Sequence, residues 1–326
     1  MWSSKKSQIN PNDPNRDWLL LEDLLRDTYS EQKKSRRWGV VFKSLTFVYL
    51  FILLGTFFIG ARSGGVSVPY AKPHVAVVRL DGVIAADESA SAGKVGEALR
   101  NAFKNNHAKA VILAINSPGG SPVQSGYIYD EMLRLKSLHP DKKLYAVIAD
   151  IGASGGYYVA SAADEIYADK ASLVGSIGVT ASSFGFVEAL NKLGVERRHF
   201  TAGEHKAFLD PFSPVKEEEK LFWQEVLQKT HEQFIGAVKA GRGDRLQLTE
   251  EITSGLIWNG EQALALGLVD GLGGARYVAR EVVGEEDLRD YTIKDSPLKM
   301  LLQDFGVSIG KGVALAIKGD AVPEIR

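Results

Sequence analysis

An eighteen-residue run without a charged side chain lies near the N-terminus and constrains this chain more than any other feature. The run is SLTFVYLFILLGTFFIGA, from Ser44 to Ala61. A helix of this length that is apolar on every side is typical of a membrane span and is rare in the core of a soluble protein. We therefore expect one transmembrane helix at 38–62, preceded by a leader at 1–37.

Basic residues flank this run unequally, and the inequality predicts its orientation. Lys33, Lys34, Arg36 and Arg37 stand closely before it, whereas one arginine follows it before the next lysine at position 72. Positively charged flanks stay in the cytoplasm. The leader is therefore expected inside the cell and everything after about residue 62 outside.

A cleaved signal peptide is the competing interpretation, because Ala61-Arg62-Ser63 has the small residues of a cleavage site. Two features argue against cleavage: the leader is longer than a usual signal-peptide n-region, and it is rich in acidic residues. Within it, Asp17 to Asp27 has leucines at near-helical spacing. That segment is either a short amphipathic helix at the inner membrane face or part of a plain leader.

Composition removes several functions from consideration. The 326 residues include no cysteine, which excludes thiol catalysis, disulfides and thiolate metal sites. The net charge is −1, from 39 basic and 40 acidic residues, and gives no reason to expect a nucleic-acid partner.

After a linker at 63–73, apolar strand patterns alternate with helical ones. The strands are HVAVVRLDGVI, AVILAIN and LYAVIAD; helices are expected at 93–105, 123–138 and 217–240. Continuous apolar strands separated by helices predict an α/β domain at 74–290, with a mainly parallel sheet covered on both faces. In the remaining segment, 291–326, residues 301–317 are apolar enough for an oligomer interface or a membrane-surface helix, or simply pack on the domain.

Two of these strands end in glycine-rich loops that suit acyl-transfer chemistry. The loop NSPGGS, 116–121, leaves backbone N–H groups uncovered at a strand end, where they can stabilise an oxyanion; the alternative is a simple Pro-Gly turn. The loop GASGG, 152–156, fits the G-x-S-x-G pattern between a strand and a helix, so Ser154 is a candidate nucleophile. The alternative is that its glycines only let a helix approach the sheet.

A serine hydroxyl needs a base, and the usual late histidine is missing. The last of the six histidines is His231, so none lies in the final 95 residues. A lysine can replace histidine if burial lowers its pKa. Lys206 is a candidate in the loop-like stretch TAGEHKAFLDPFSP, although Glu204 and Asp210 nearby would oppose that shift if they face it. An ester hydrolase that uses His199 or His231 remains open.

Together, NSPGGS, GASGGYYVASAAD, LVGSIGV, GEHKAFLDPFSP and GLIWNGEQALALGLVDGLGG resemble the short bacterial form of signal peptide peptidase A. These are membrane-anchored Ser-Lys peptidases of the ClpP/crotonase-like superfamily. The resemblance covers roughly 74–274. It implies Ser154 as nucleophile, Lys206 as general base, Ser176 as the residue that orients the lysine, and Gly119 and Gly120 as the oxyanion loop.

The resemblance also implies a function. It predicts an acyl-enzyme endopeptidase without metal or cofactor, a bacterial inner-membrane location with the domain on the periplasmic side, and signal-peptide remnants and other short membrane-associated peptides as substrates. By analogy it implies a homo-oligomer, an octamer in the family. The alternatives are a non-catalytic membrane scaffold of the same fold and a crotonase-like acyl-CoA enzyme, which an extracytoplasmic domain disfavours because coenzyme A esters are cytoplasmic.

Overall fold

The computed structural model of the chain describes residues 16–62 and 72–294. Apart from its last two residues, the predicted linker at 63–73 lies outside these ranges. So do the first fifteen residues of the leader and nearly all of the C-terminal segment, including 301–317. Helix α1 and the residues from 72 to 294 belong to two separate compact units, and each is described by itself.

Helix α1 runs from Arg16 to Arg62 without a break over 47 residues. At 1.5 Å per residue it is about 70 Å long. Within the described ranges, Thr28–Gly55 is the one helical stretch long and apolar enough to cross a membrane. The short helix predicted at Asp17 to Asp27 is therefore the beginning of a continuous helix and not a separate element.

The second unit alternates strands and helices, as the sequence pattern predicts. Its strands are β1 His74–Asp81, β2 Ala108–Ser117, β3 Leu144–Ala153, β4 Glu165–Ala168, β5 Leu173–Gly175, β6 Ile257–Asn259, β7 Gly271–Leu272 and β8 Leu288–Asp290. Its helices are α2 Ala92–Lys104, α3 Pro122–Leu138, α4 Gly155–Ala160, α5 Val187–Lys192, α6 Glu217–Arg242, α7 Gly260–Ala265 and α8 Ala275–Tyr277, which continues as a π-helical turn over Val278–Val283.

These strands form one sheet in the order β6-β5-β3-β2-β1-β8. Strand β3 is central: its first half also pairs with β4, which in turn pairs with β7. Every pairing is parallel except that of β5 with β6. The α/β class with a mainly parallel sheet is confirmed.

One face of this sheet carries the main core. Alternate residues of β1, β2 and β3, such as Val78, Leu113 and Ile148, pack with buried residues of α2, α3, α4 and α6. Burying aliphatic side chains of this size stabilises the fold by about 1.5–3 kcal/mol each, which explains the continuous apolar runs in the sequence.

The opposite face is covered by described residues only in part. Val77, Ile112 and Val147 pack there against Val278 of the π-helical turn. Beside them lies an open groove of about 910 Å³, also lined by Val77 and Val147. Within residues 72–294, the first face is therefore covered as predicted, and the second face is covered only in part.

Candidate active site

Ser154 stands at the junction between β3 and α4 in a strained turn. Its backbone has φ 51° and ψ −123°, a region that non-glycine residues rarely adopt. The Ser154 N–H donates to the carbonyl of Gly175 at 2.8 Å, and its own carbonyl accepts from the Tyr158 N–H at 2.9 Å. These two bonds fix the turn at the C-terminal edge of the sheet. The pattern that singled out Ser154 thus corresponds to a sharp strand-to-helix turn.

Gly119 and Gly120 pack directly against this turn. A Cβ atom on Gly119 would lie 2.7 Å from the Cβ of Ser154, and its φ of +102° also favours glycine. The loop is held by Ile84, whose N–H donates to the Gly119 carbonyl at 2.9 Å and whose carbonyl accepts from the Ser121 N–H at 2.8 Å. A backbone loop pinned this closely to a serine is suited to present N–H groups to a carbonyl under attack.

The two glycine N–H groups differ in availability. The Gly119 N–H donates to the hydroxyl of Ser117 at 3.2 Å. The Gly120 N–H makes no hydrogen bond within the part of the chain that the structure describes. Of the two, the Gly120 N–H is therefore the one available to a ligand.

Ser176 lies beside Ser154 at the end of the neighbouring strand. Strands β3 and β5 pair in parallel with Ala153 opposite Gly175, so the two serines follow directly after paired residues. Adjacent strands are about 4.8 Å apart, which places the two backbones side by side. Ser176 also has φ 51°, and its N–H donates to the Leu256 carbonyl at 2.8 Å.

A small cavity of about 150 Å³ opens next to Ser154. Its walls include Gly120, Tyr158 of α4, and Thr230 and Phe234 of α6. Burial raises the pKa of the Tyr158 phenol, so this side chain is neutral at physiological pH. The cavity is large enough for a small or medium side chain of a peptide.

The sequence patterns single out Ser154 and Gly120 of this cavity but not Tyr158, Thr230 or Phe234. Tyr158 follows Ser154 by about one helical turn, and that spacing is a signal which could have found it. Thr230 and Phe234 lie on α6, far from Ser154 along the chain. Nothing local in the sequence predicts that α6 packs there.

Lys206, the predicted general base, has a different environment from this group in the single chain. It follows β5 and α5 in a segment of turns, and its side chain is exposed. No hydrogen bond or ion pair joins the Lys206 ammonium to another residue among those described, and Lys206 does not line the cavity beside Ser154. The structure thus brings Ser154, Gly119, Gly120 and Ser176 together and leaves Lys206 in solvent.

The two histidines considered as alternative bases are engaged elsewhere. A ring nitrogen of His231 lies 3.1 Å from the Ile177 carbonyl. The Nδ1 atom of His199 lies 3.4 Å from an Arg197 nitrogen. Neither histidine lines the Ser154 cavity, so the geometry gives no support to a Ser-His pair.

Comparison with known proteins adds a family and several relatives. Residues 136–289 match the family described as Peptidase family S49. The chain is 34% identical over 202 residues to "Putative protease slr0021" of Synechocystis. The aligned residues cover 62% of this chain and 70% of that protein. The chain is 33% identical over 195 residues to "Putative signal peptide peptidase SppA" of Enterococcus faecium, 60% of this chain and 56% of that protein.

A higher identity is found to a protein with a different name. The chain is 44% identical over 220 residues to "Na(+)/H(+) antiporter NhaA" of Brucella abortus. This match covers 66% of the chain but only 30% of the antiporter. The antiporter name describes that whole protein, of which less than a third is aligned here.

Proposed function

The chain belongs to peptidase family S49, and on that premise we propose that it is a membrane-anchored serine peptidase with Ser154 as its nucleophile. The single observation that carries this proposal is the contact between the strained Ser154 turn and the glycine loop, with 2.7 Å between the Ser154 Cβ and the position of a Cβ on Gly119. Ser154 and Gly120 border the same small cavity, so a hydroxyl and a free N–H share one volume, as acyl transfer requires.

The proposed mechanism is a two-step acyl transfer. The Ser154 hydroxyl attacks the scissile carbonyl while neutral Lys206 takes the proton of that hydroxyl. The developing oxyanion accepts a hydrogen bond from the Gly120 N–H. Protonated Lys206 then donates to the leaving amine, and water repeats the sequence on the acyl-enzyme with the Lys206 amine again as base. Ser176, next to Ser154, is the proposed orienting partner of the Lys206 amine.

Because Lys206 is exposed in the single chain, the proposal includes a homo-oligomer. The segments before and after Lys206 in the sequence carry a set of exposed apolar side chains: Phe184, Leu193, Phe200, Leu221 and Phe222. Extensive exposed apolar surface is typical of a protein interface. A second copy of the chain that covered this set would take Lys206 out of water and favour the neutral amine that a general base needs.

Short, apolar, membrane-associated peptides such as signal-peptide remnants are the proposed substrates. The cavity of about 150 Å³ beside Ser154 limits the side chain next to the scissile bond to a small or medium one. A span within α1 would hold the domain at the membrane surface, where such peptides lie. The catalytic domain is proposed to lie on the periplasmic side of the bacterial inner membrane.

Covalent labelling with a serine-directed fluorophosphonate tests this proposal. The detergent-solubilised full-length chain is compared with Ser154→Ala and Lys206→Ala, and a peptide digest locates the adduct. We expect label on Ser154 in the wild type and none in either variant. Ser183→Ala, at an exposed serine, is the matched control and should keep the wild-type label.

Three outcomes would contradict the proposal in different ways. A folded wild type that takes no label favours the non-catalytic scaffold. Label on Ser154 that survives in Lys206→Ala but is lost in His199→Ala or His231→Ala favours a histidine-dependent hydrolase. Turnover of an acyl-CoA ester without peptide cleavage favours the crotonase-like enzyme.

A further inference from the structure

Lys206 is carried by a loop, residues 203–213, that contains neither a strand nor a helix. Successive turns hold this Lys206 loop together: the Lys206 N–H donates to the Gly203 carbonyl at 3.2 Å, and the Asp210 N–H donates to the Ala207 carbonyl at 3.2 Å. Bonds of this kind constrain neighbours but do not tie the loop to the rest of the fold. The position of Lys206 therefore depends on where the loop is fastened.

Asp210 carries the ionic contact that fastens the loop. Its side chain is 7% exposed, and the Arg197 guanidinium donates to its Oδ2 atom. The Ser213 hydroxyl donates to the same oxygen at 2.7 Å, and the Phe212 N–H donates to Oδ1 at 3.4 Å. The Arg197 and Ser213 hydrogen bonds hold the pKa of Asp210 well below its usual range, so the carboxylate is ionised at physiological pH.

Arg197 in turn is held on its other side. Its guanidinium carbon lies 4.9 Å from the centre of the Phe212 ring, a cation-π contact with the same loop. The Arg197 side chain is 34% exposed. The neighbouring pair of Arg198 and Glu196 contrasts with it, because both of those side chains are more than 70% exposed, and exposed pairs contribute little.

The backbone on either side of Asp210 is strained and pinned. Leu209 has φ +50°, the left-handed region that non-glycine residues avoid. Its N–H donates to the carboxylate of Glu219, a buried residue at the start of α6, over a long 3.4 Å bond. The Pro211 carbonyl accepts from the Phe186 N–H, just before α5, at 2.7 Å. A strained loop must be held by its surroundings, and the contacts at 209–211 are the ones that hold it.

We propose that Asp210 and Arg197 are positioning residues for Lys206. Their ion pair fixes the Lys206 loop, and it also directs the negative charge of Asp210 to a guanidinium instead of to the lysine ammonium. An uncompensated carboxylate near Lys206 would favour its charged form, which cannot act as a base. This inference rests on the proposed function, since it assigns a role that acts only through Lys206.

The test compares four variants of the detergent-solubilised full-length protein: Arg197→Ala, Arg197→Lys, Asp210→Asn and the control Arg198→Ala. Steady-state cleavage of a short apolar peptide gives kcat and KM, and the rate of fluorophosphonate labelling reports on Ser154 directly. We expect Arg197→Ala and Asp210→Asn to lower kcat about 10- to 100-fold, with KM within about threefold of wild type, because misplacement of a reacting group by about 1 Å costs that much. Arg197→Lys should recover part of the loss, and Arg198→Ala should equal wild type.

Retention of wild-type kcat within about threefold in Arg197→Ala and Asp210→Asn, while labelling still requires Ser154 and Lys206, would overturn this inference and leave the proposed function intact. A rise in KM with unchanged kcat would also overturn it, since it would assign the pair to substrate binding. A wild type without Lys206-dependent labelling removes the proposed function, and this inference with it. If Asp210→Asn does not fold, the kcat values of Arg197→Lys and Arg197→Ala test the inference instead. These variants are expected to fold, because Arg197 is partly exposed and its replacement leaves no enclosed cavity.

Discussion

At the scale of single residues, Gly119 has no room for a side chain beside Ser154. A methyl group there would overlap both the Cβ of Ser154 and the N–H of Gly155, each at 2.7 Å. Real Cβ atoms do not approach so closely, so either the loop or Ser154 would have to move. The positive φ of Gly119 adds a second penalty to any side chain.

We therefore predict that Gly119→Ala abolishes labelling of Ser154 even where the protein folds. The loss should be at least about 100-fold, comparable to removal of an oxyanion donor. The control is Gly126→Ala in α3, where a Cβ would meet no atom within 4 Å; it should label like wild type. Normal labelling in Gly119→Ala would mean that the loop is not part of the site.

The site residues that follow strands could be predicted from the sequence. Ser154, Ser176 and the two glycines all come after strands of one parallel sheet, and such strand ends meet at one edge. Their roles stay predictions. The surroundings of Lys206 were not predictable, because the exposure of a loop lysine depends on segments that are distant in the sequence.

At the scale of elements, a buried ion pair joins α6 to the short strands behind the site. Arg242, the last residue of α6, is 1% exposed and donates to both oxygens of Asp270, at 2.6 and 2.9 Å. Asp270 also accepts from the Ile166 N–H of β4 at 2.7 Å. Because α6 supplies a wall of the cavity, this pair connects the stability of the fold to the shape of the site.

We predict that Asp270→Asn lowers the free energy of unfolding by about 3–5 kcal/mol, the usual cost of leaving a buried charge unpaired. A domain of this size should then lose about 10 °C in Tm, measured by thermal unfolding of the full-length protein. Asp244→Asn, at an exposed carboxylate, is the control. A change below about 1 kcal/mol would show that the Arg242 charge is accommodated without Asp270.

The stability lost in Asp270→Asn should also depend on pH. Burial alone would raise the pKa of Asp270, but hydrogen bonds from Arg242 and the Ile166 N–H outweigh it, and the pKa is lowered. A lowered carboxyl pKa contributes stability above the unfolded value of about 3.9 and loses it as pH falls through the folded value. The Tm difference between wild type and Asp270→Asn should therefore be largest at neutral pH and shrink below about pH 4.

The long elements were predictable, and the short ones were not. Helices α2, α3 and α6 and strands β1, β2 and β3 carry enough periodic apolar residues to identify them. Strand β7 has two residues and β5 and β6 have three each, too few for any pattern. Helix α6, predicted at 217–240, continues to Arg242, and Leu221 and Phe222 near its start are exposed.

At the scale of the whole molecule, the absence of cysteine makes the membrane topology directly measurable. A single introduced cysteine is the only thiol in the chain. We predict that Glu88→Cys, in the second unit, reacts with a membrane-impermeant maleimide in intact spheroplasts, whereas Lys34→Cys, in the basic part of α1, reacts only after lysis. The unsubstituted chain is the control. Labelling of Lys34→Cys in intact spheroplasts would reverse the orientation, and a product that lacks residue 34 would support a cleaved signal peptide.

The proposed assembly makes a second prediction at this scale. Phe200, 90% exposed, belongs to the set of exposed apolar side chains proposed as the interface. Phe200→Glu should reduce the size of the detergent-solubilised particle and, with it, the Lys206-dependent labelling of Ser154, because a charge there opposes burial. Light scattering coupled to size exclusion measures the particle. Leu138→Glu, at an exposed apolar residue of α3, is the control. A Phe200→Glu particle of unchanged size would place the interface elsewhere.

The strained turn at Ser154 also limits how this scaffold can be re-engineered. Its φ of 51° is tolerable for a serine, whose Cβ bears one heavy substituent, but a β-branched residue in that region is a severe outlier. A cysteine has the same branching as serine and would fit, whereas threonine would not. At this position the backbone therefore accepts replacement of the serine by cysteine and disfavours its replacement by threonine.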